Sequence, residues 1–263
     1  MVLIRRSRSG WRWAWLFVAW SLSASAHAQS AAPAPAPAQA VVDWRETHAY
    51  ALGIQAYHYL YPWAYMPGAR WTRTENAGRQ ANRFAHIRDL ETAAKLSGGA
   101  PNDDTLYSRA WLYVKDEPVI VTVPEIRDRY YTLEFVDFMG DNFDYVGTRA
   151  TGTKAGHYAV VAAGWKGTLP PGVTALTPVS TPWAIIMGRT FVKDADDLNT
   201  VRAIQDQYRI TPLSQWGKPG AALPKTPEIW EPIDPRTDPL AAWKTINRAL
   251  AEVPPDARDA DLL

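Results

Sequence analysis

Between residues 110 and 192 the apolar side chains fall in short runs broken by glycine and proline. In residues 129–136, Tyr131, Leu133 and Phe135 alternate with Tyr130, Thr132 and Glu134. A period of two puts alternate side chains on opposite faces of an extended chain. Residues 110–114, 119–123, 157–162 and 184–192 are further β-branched and aromatic runs. Gly147, Gly152, Gly156, Gly164 and Pro170-Pro171-Gly172 punctuate the gaps. Short strands at this spacing predict an antiparallel sandwich or barrel.

Helical periods flank this region. Residues 43–61 carry a stripe of Tyr50, Ile54, Tyr57 and Tyr61, with Asp43 and Glu46 spaced as a capping box and Pro62 as a stop. Residues 67–80 read as turn and charge residues. Residues 82–96 read as a second helix, with Phe84, Ile87 and Leu90 as its stripe. Residues 194–208 read as a helix that Asp194 caps. Residues 212–263 hold nine of the 21 prolines and read as an irregular tail. One helix is expected within it, started by Asp238 and Pro239, with Leu240, Trp243, Ile246 and Leu250 facing inward. The class is therefore α+β.

The first 28 residues have the composition of a secretory leader: Arg5, Arg6, Arg8 and Arg12, an apolar stretch of about a dozen residues, then Ala26-His27-Ala28. Cleavage after Ala28 and a periplasmic or secreted location are expected. The apolar stretch is short of the ~20 residues of a membrane helix, so no transmembrane segment is expected after cleavage. Residues 29–42 form an Ala/Pro linker. Removing the leader leaves 24 basic and 27 acidic residues, net −3, which argues against a nucleic-acid partner held by bulk charge. With no cysteine, disulfides and thiolate chemistry are excluded.

Chemistry is concentrated in Pro101-Asn102-Asp103-Asp104-Thr105-Leu106-Tyr107-Ser108, a polar loop leading into the strands. Loops held by a rigid sheet often carry binding groups. Asp103, Asp104 and Asp137 offer carboxylates for acid/base work on a glycosidic bond; equally, such residues bond neighbouring backbone N–H groups and shape turns. Asp137, Asp141, Asn142 and Asp144 have oxygens for calcium but not the helix-loop-helix spacing. Arg129, Arg149 and Arg189 either fork onto a ligand anion or pair with Asp137 or Glu134. Tyr107, Tyr131 and Tyr145 either stack on a sugar or aromatic ring or pack in the core. The candidate ligand-binding set is Asn102, Asp104, Tyr107, Tyr131, Asp137 and Arg149. No metal site and no cofactor are predicted.

Together with Asn102 and Asp104 to Ser108, several later motifs carry a resemblance: Pro118-Val119 to Val123-Pro124, Arg129-Tyr130-Tyr131, Asn142-Phe143, Thr151-Gly152 and Gly188-Arg189-Thr190. Across roughly residues 43–213 the chain resembles the family called domain of unknown function 1254. The resemblance implies an exported bacterial protein with helices at 43–98, an immunoglobulin-like β-sandwich at 101–193 and a helix at 194–209, followed here by a Pro-rich extension, 214–263. It also implies a C-terminal partner domain of family 1214, which this chain is expected to lack and which a separately encoded protein could supply. Three functions stay open: a binding or assembly module for a small or carbohydrate-like ligand, a hydrolase acting on carbohydrate or envelope compounds, and a subunit that docks a partner through a face near Trp216, Trp230 and Trp243.

Overall fold

The computed structural model describes residues 43–91, 102–218 and 224–262. The leader, the linker, Pro101 and the end of the expected second helix lie outside the described residues. The chain divides into two units, Met1–Thr47 and His48–Leu263. Of the first unit, the start of helix α1 (Trp44–Tyr59) is described: Asp43 accepts from the Arg45 N–H at 2.9 Å and its carbonyl from that of Thr47 at 3.1 Å.

In the second unit two sheets share one core. The five-stranded sheet has the order β1 (Ala85–His86), β2 (Thr105–Tyr113), β8 (Trp183–Phe191), β4 (Tyr131–Asp137) and β5 (Asn142–Gly147). The four-stranded sheet has the order β7 (Val173–Ala175), β6 (Gly156–Val160), β3 (Val119–Val123) and β9 (Arg209–Pro212). Every pairing is antiparallel except β6 with β7, which is parallel. The sequence expectation of a wholly antiparallel arrangement is corrected there. The alternation read in residues 129–136 has its cause in this packing: Leu133 and Phe135 are buried with Leu112, Ile186, Val121 and Val160 between the sheets. Each such side chain contributes roughly 1.5–3 kcal/mol of burial.

The outer face of the five-stranded sheet carries a second core. Helix α2 (Tyr61–Arg73) and helix α4 (Ala241–Glu252) lie against it, with Ile229 and Trp230 from the segment before α4. Trp63 of α2 donates its indole N–H to the Val253 carbonyl at 2.5 Å. Arg70 of α2 is wholly buried. Its guanidinium lies 4.3 Å from the Trp183 ring centroid and donates to Glu252 at 2.9 Å. Glu252 also accepts from the indole N–H of Trp230. Burial pulls the Arg70 pKa down and Glu252 opposes that pull.

Four helical expectations are revised. Pro62 does not end helical structure; it takes the first turn of α2, where its missing N–H costs nothing. The turn-rich reading of residues 67–80 gives way to helix through Arg73, with Pro67 inside it. The helix expected from Asn82 is not formed over 82–91. Asn82 sits at φ 58, its N–H donates to the Trp111 carbonyl at 2.8 Å and its Oδ1 accepts from the Tyr113 N–H at 2.9 Å. The chain is thus pinned along β2, and Phe84, Ile87 and Leu90 reach different surroundings rather than one helical face. In α4, Ile246 points inward as expected, but Leu240 and Trp243 are exposed. Along α1 the aromatic stripe divides: Tyr57 packs against the helix-side core, while Tyr50 is 72% exposed. Helix α3 (Leu198–Gln205) follows a 3-10 turn whose cap, Asp194, accepts from the Asp197 N–H at 3.1 Å. The motif arginine Arg129 closes on Asp197 in a two-pronged contact, 2.5 and 2.7 Å.

Two measurements check this account. Glu252→Ala leaves the Arg70 cation buried without its acid, and denaturant unfolding is expected to show a loss of about 3–5 kcal/mol; a change under 1 kcal/mol would refute the role given to the pair. Asp197 is the second case. The Arg129 contact holds its pKa at about 2, below its ordinary 3.8. A depressed folded pKa gives stability that is present above pH ~4 and lost as pH falls toward 2. Arg129→Met should lower Tm at pH 7 and flatten its acid decline between pH 4 and 2; parallel Tm curves would sink the idea.

Candidate functional site

Strand register builds a site on the part of the five-stranded sheet that the helices leave open. Tyr107, Arg189, Thr132 and Gly147 stand side by side across β2, β8, β4 and β5. Two residues along, Arg109, Met187, Glu134 and Tyr145 make the next row. Further rows, from Trp111 and Ile185 to Tyr113 and Trp183, belong to the core under α2 and α4.

From these rows Arg189, Thr132, Gly147, Glu134 and Tyr145 line a cleft of about 330 Å³. Tyr145, 42% exposed, and Tyr130, 38% exposed, present ring surface to it. Arg149 lies 5.5 Å from the Tyr130 ring centroid. Glu134 sits 3.6 Å from Arg189 and accepts from Asn142 Nδ2 at 2.9 Å; the same amide donates to the Tyr145 hydroxyl at 2.7 Å. Gly147 lets β5 approach β4 closely here. Its φ is 152° and an added Cβ would lie 2.8 Å from the Thr132 Cα, so only glycine fits.

Tyr107 stands at the edge of the cleft between two guanidinium groups, Arg109 at 4.6 Å and Arg189 at 5.2 Å from its ring centroid. Burial tends to raise its phenol, but hydrogen bonding to Arg189 and Asn102 and the two positive charges bring its pKa below the ordinary 10. Arg189 is held above its usual value, first by its bond to Tyr107.

Of the six residues singled out in the sequence, Asn102, Tyr107 and Arg149 come to this end of the sheet. Asn102 is also a turn residue: its Oδ1 accepts from the N–H groups of Asp104 and Thr105 at 3.2 and 3.1 Å, and its amide donates to the Thr105 hydroxyl. Asp104 is exposed, and its carbonyl accepts from the Val192 N–H at 2.8 Å. Tyr131 also lines the cleft, but its ring is packed in the core: it is fully buried, its hydroxyl donates to the Gly152 carbonyl at 3.2 Å, and burial lifts its pKa to about 12.

Asp137 belongs to the far end of β4. It pairs with Ala184, five positions along β8 from the Arg189 that pairs with Tyr107. At ~3.3 Å per residue that is roughly 17 Å, and Asp104 lies farther still. The proposed carboxylate pair is therefore not assembled. Burial raises the Asp137 carboxyl, but its Oδ1 is engaged by the N–H groups of Met139 and Asp141 at 2.8 and 3.0 Å. Asp144 is used the same way by Tyr145 and Thr177, both at 2.7 Å. The tryptophan face is not assembled either: Trp230 is buried in the helix-side core, and Trp216 packs beside His157 against the four-stranded sheet.

In the sequence Glu134 reads only as a partner for arginine. Its place in the alternating run, opposite Leu133 and Phe135, was the available sign that it faces away from the core.

A family model described as a protein of unknown function, DUF1254, matches residues 81–212, half of the chain and a narrower span than the resemblance drawn from the motifs. Among solved structures, the chain is similar to the VPA0106 protein from Vibrio parahaemolyticus, at 25% identity and a TM-score of 0.60. That match covers 76% of this chain and 46% of the other, so the chain spans less than half of that protein's length. An uncharacterized protein from Burkholderia cenocepacia matches at 15% identity and a TM-score of 0.33 over 51% of this chain and 36% of its own, too slight to bear on the fold. No curated protein matches the chain.

Proposed function

Because the chain belongs to the DUF1254 family, whose description assigns no activity, we propose its function from the cleft: a binding module for a carbohydrate-like ligand, a ring bearing neighbouring hydroxyl groups. The observation that carries this reading is the pair of exposed tyrosines, Tyr130 and Tyr145, flanking a floor where Glu134 accepts and Arg189 donates. A sugar ring offers an apolar face for stacking and hydroxyls that both give and take hydrogen bonds. Arg149 closes one side of the cleft.

The hydrolase reading has less support. Glycoside hydrolysis needs two carboxyl groups roughly 5–10 Å apart across the bond. Glu134 is the one carboxylate among the described residues that line this cleft, and it is engaged by Arg189 and Asn142.

We read the two-sheet body as the immunoglobulin-like sandwich that the family resemblance implies, and the protein as exported. The basic start and Ala26-His27-Ala28 support the second reading.

Titration of the protein with neutral oligosaccharides, followed by nuclear magnetic resonance, tests the binding reading. Tyr145→Ala and Arg189→Met are each expected to weaken binding about tenfold, the loss of ~1.4 kcal/mol from stacking or a charged hydrogen bond. Unchanged affinity in both folded variants, or no binding by the parent, would end the proposal. N-terminal sequencing of the protein purified from its host is expected to begin at Gln29; a retained Met1, with the protein in the cytosolic fraction, would overturn the export reading.

A further inference from the structure

Next to Arg109, beyond the sugar-facing cleft, the same sheet face carries a second, smaller concavity of about 50 Å³. Its floor is apolar, made by Ala85, Ile87, Ile185, Met187 and Trp111. Its rim holds four arginines: Arg73 at the end of α2, Arg79 and Arg83 on the loop that follows, and Arg109 on β2. The sequence makes the gathering possible, since residues 73–83 hold three of these four arginines and one acid, Glu75. The backbone makes it definite. Gly78 at φ 61 and Asn82 at φ 58 turn the loop back, and Asn82 fastens it to the main chain of β2 beside Trp111.

The groups in this concavity are not satisfied by one another. Among the described residues no carboxylate forms an ion pair with Arg73, Arg79, Arg83 or Arg109. Burial and then the charges of Arg73 and Arg189 push the Arg109 pKa down, with Tyr107 and, to a smaller degree, Glu91 opposing them. Arg109 Nε is buried with no hydrogen-bond partner, and so is the indole Nε1 of Trp111, a residue only 3% exposed. Buried donors are almost always paired, so two orphan donors on residues that line one concavity, amid unpaired like charges, point to a missing acceptor.

We propose that this concavity binds a small organic carboxylate, its oxygens held by Arg109 and the Trp111 indole N–H and its apolar stem on the Ile185–Met187 floor. Guanidinium groups fork onto carboxylates, which supports the head group. At ~10–15 Å³ per water-sized centre, the space takes about four such centres, which suits a carboxylate and its first carbons. A phosphate would set additional charged oxygens against hydrocarbon, which is costly. This site is independent of the sugar reading: it uses other side chains and another ligand chemistry.

The test is a nuclear magnetic resonance titration of the full chain with sodium butyrate, following the indole N–H peak that Trp111→Phe removes. Butyrate is expected to shift that peak saturably, while butan-1-ol and inorganic phosphate bind at least tenfold more weakly. Arg109→Gln should weaken butyrate about tenfold. Arg83→Gln, at an exposed position that leaves folding intact, should weaken it about threefold. Tyr145→Ala, in the sugar cleft, and Arg127→Gln, at a distant exposed arginine, should change nothing. No shift of the indole peak in the folded parent protein, equal binding of butan-1-ol or phosphate, or parent-like affinity in Arg83→Gln would each overturn the proposal.

Discussion

A wholly buried guanidinium, Arg70, organises one side of this molecule. It lies over Trp183, pairs with Glu252 and through that acid reaches Trp230. Two of its nitrogens find no partner, so the arrangement is not the cheapest way to fill a core. What it achieves is placement. It ties α2, α4 and the segment before α4 to one end of the five-stranded sheet. The other end of that face is thereby left open, and both concavities lie there or along its margin.

From that constraint the remaining geometry follows by register. Side chains two apart on β2, β8, β4 and β5 share a face, so the pairing alone sets Tyr107 beside Arg189 and Arg109 beside Met187. Glycine is required where two backbones nearly touch, at Gly147 and again at Gly188, whose added Cβ would lie 2.6 Å from Leu133 Cδ2 and 2.8 Å from the Ser108 carbonyl. The site is a property of the sheet more than of any loop.

The strands were legible in the sequence because their period and their burial agree. The expected run 119–123 coincides with β3, and β4 and β8 begin and end within two residues of their expected runs. Strand β5 was missed because Asn142 to Gly147 carries Asp144 and Tyr145 outward and reads as polar. The segment after Asn82 was misread because its apolar spacing suited a helix, while its conformation is imposed by bonds to β2 that no local pattern encodes. The site suffered the same way. Tyr107 and Arg149 stood out as polar motif residues. The separation of Asp104 from Asp137 depended on the strand order β2-β8-β4, which lies beyond what spacing along one chain can specify.

The Asn82 fastening has one more implication. The loop bearing Arg79 and Arg83 is held to β2 by two contacts that need the Asn82 backbone and amide and nothing from the arginines themselves. The charge of the rim is thus uncoupled from the scaffold that displays it. Support and display are thus divided: a rim arginine is replaceable without touching either contact that shapes the loop.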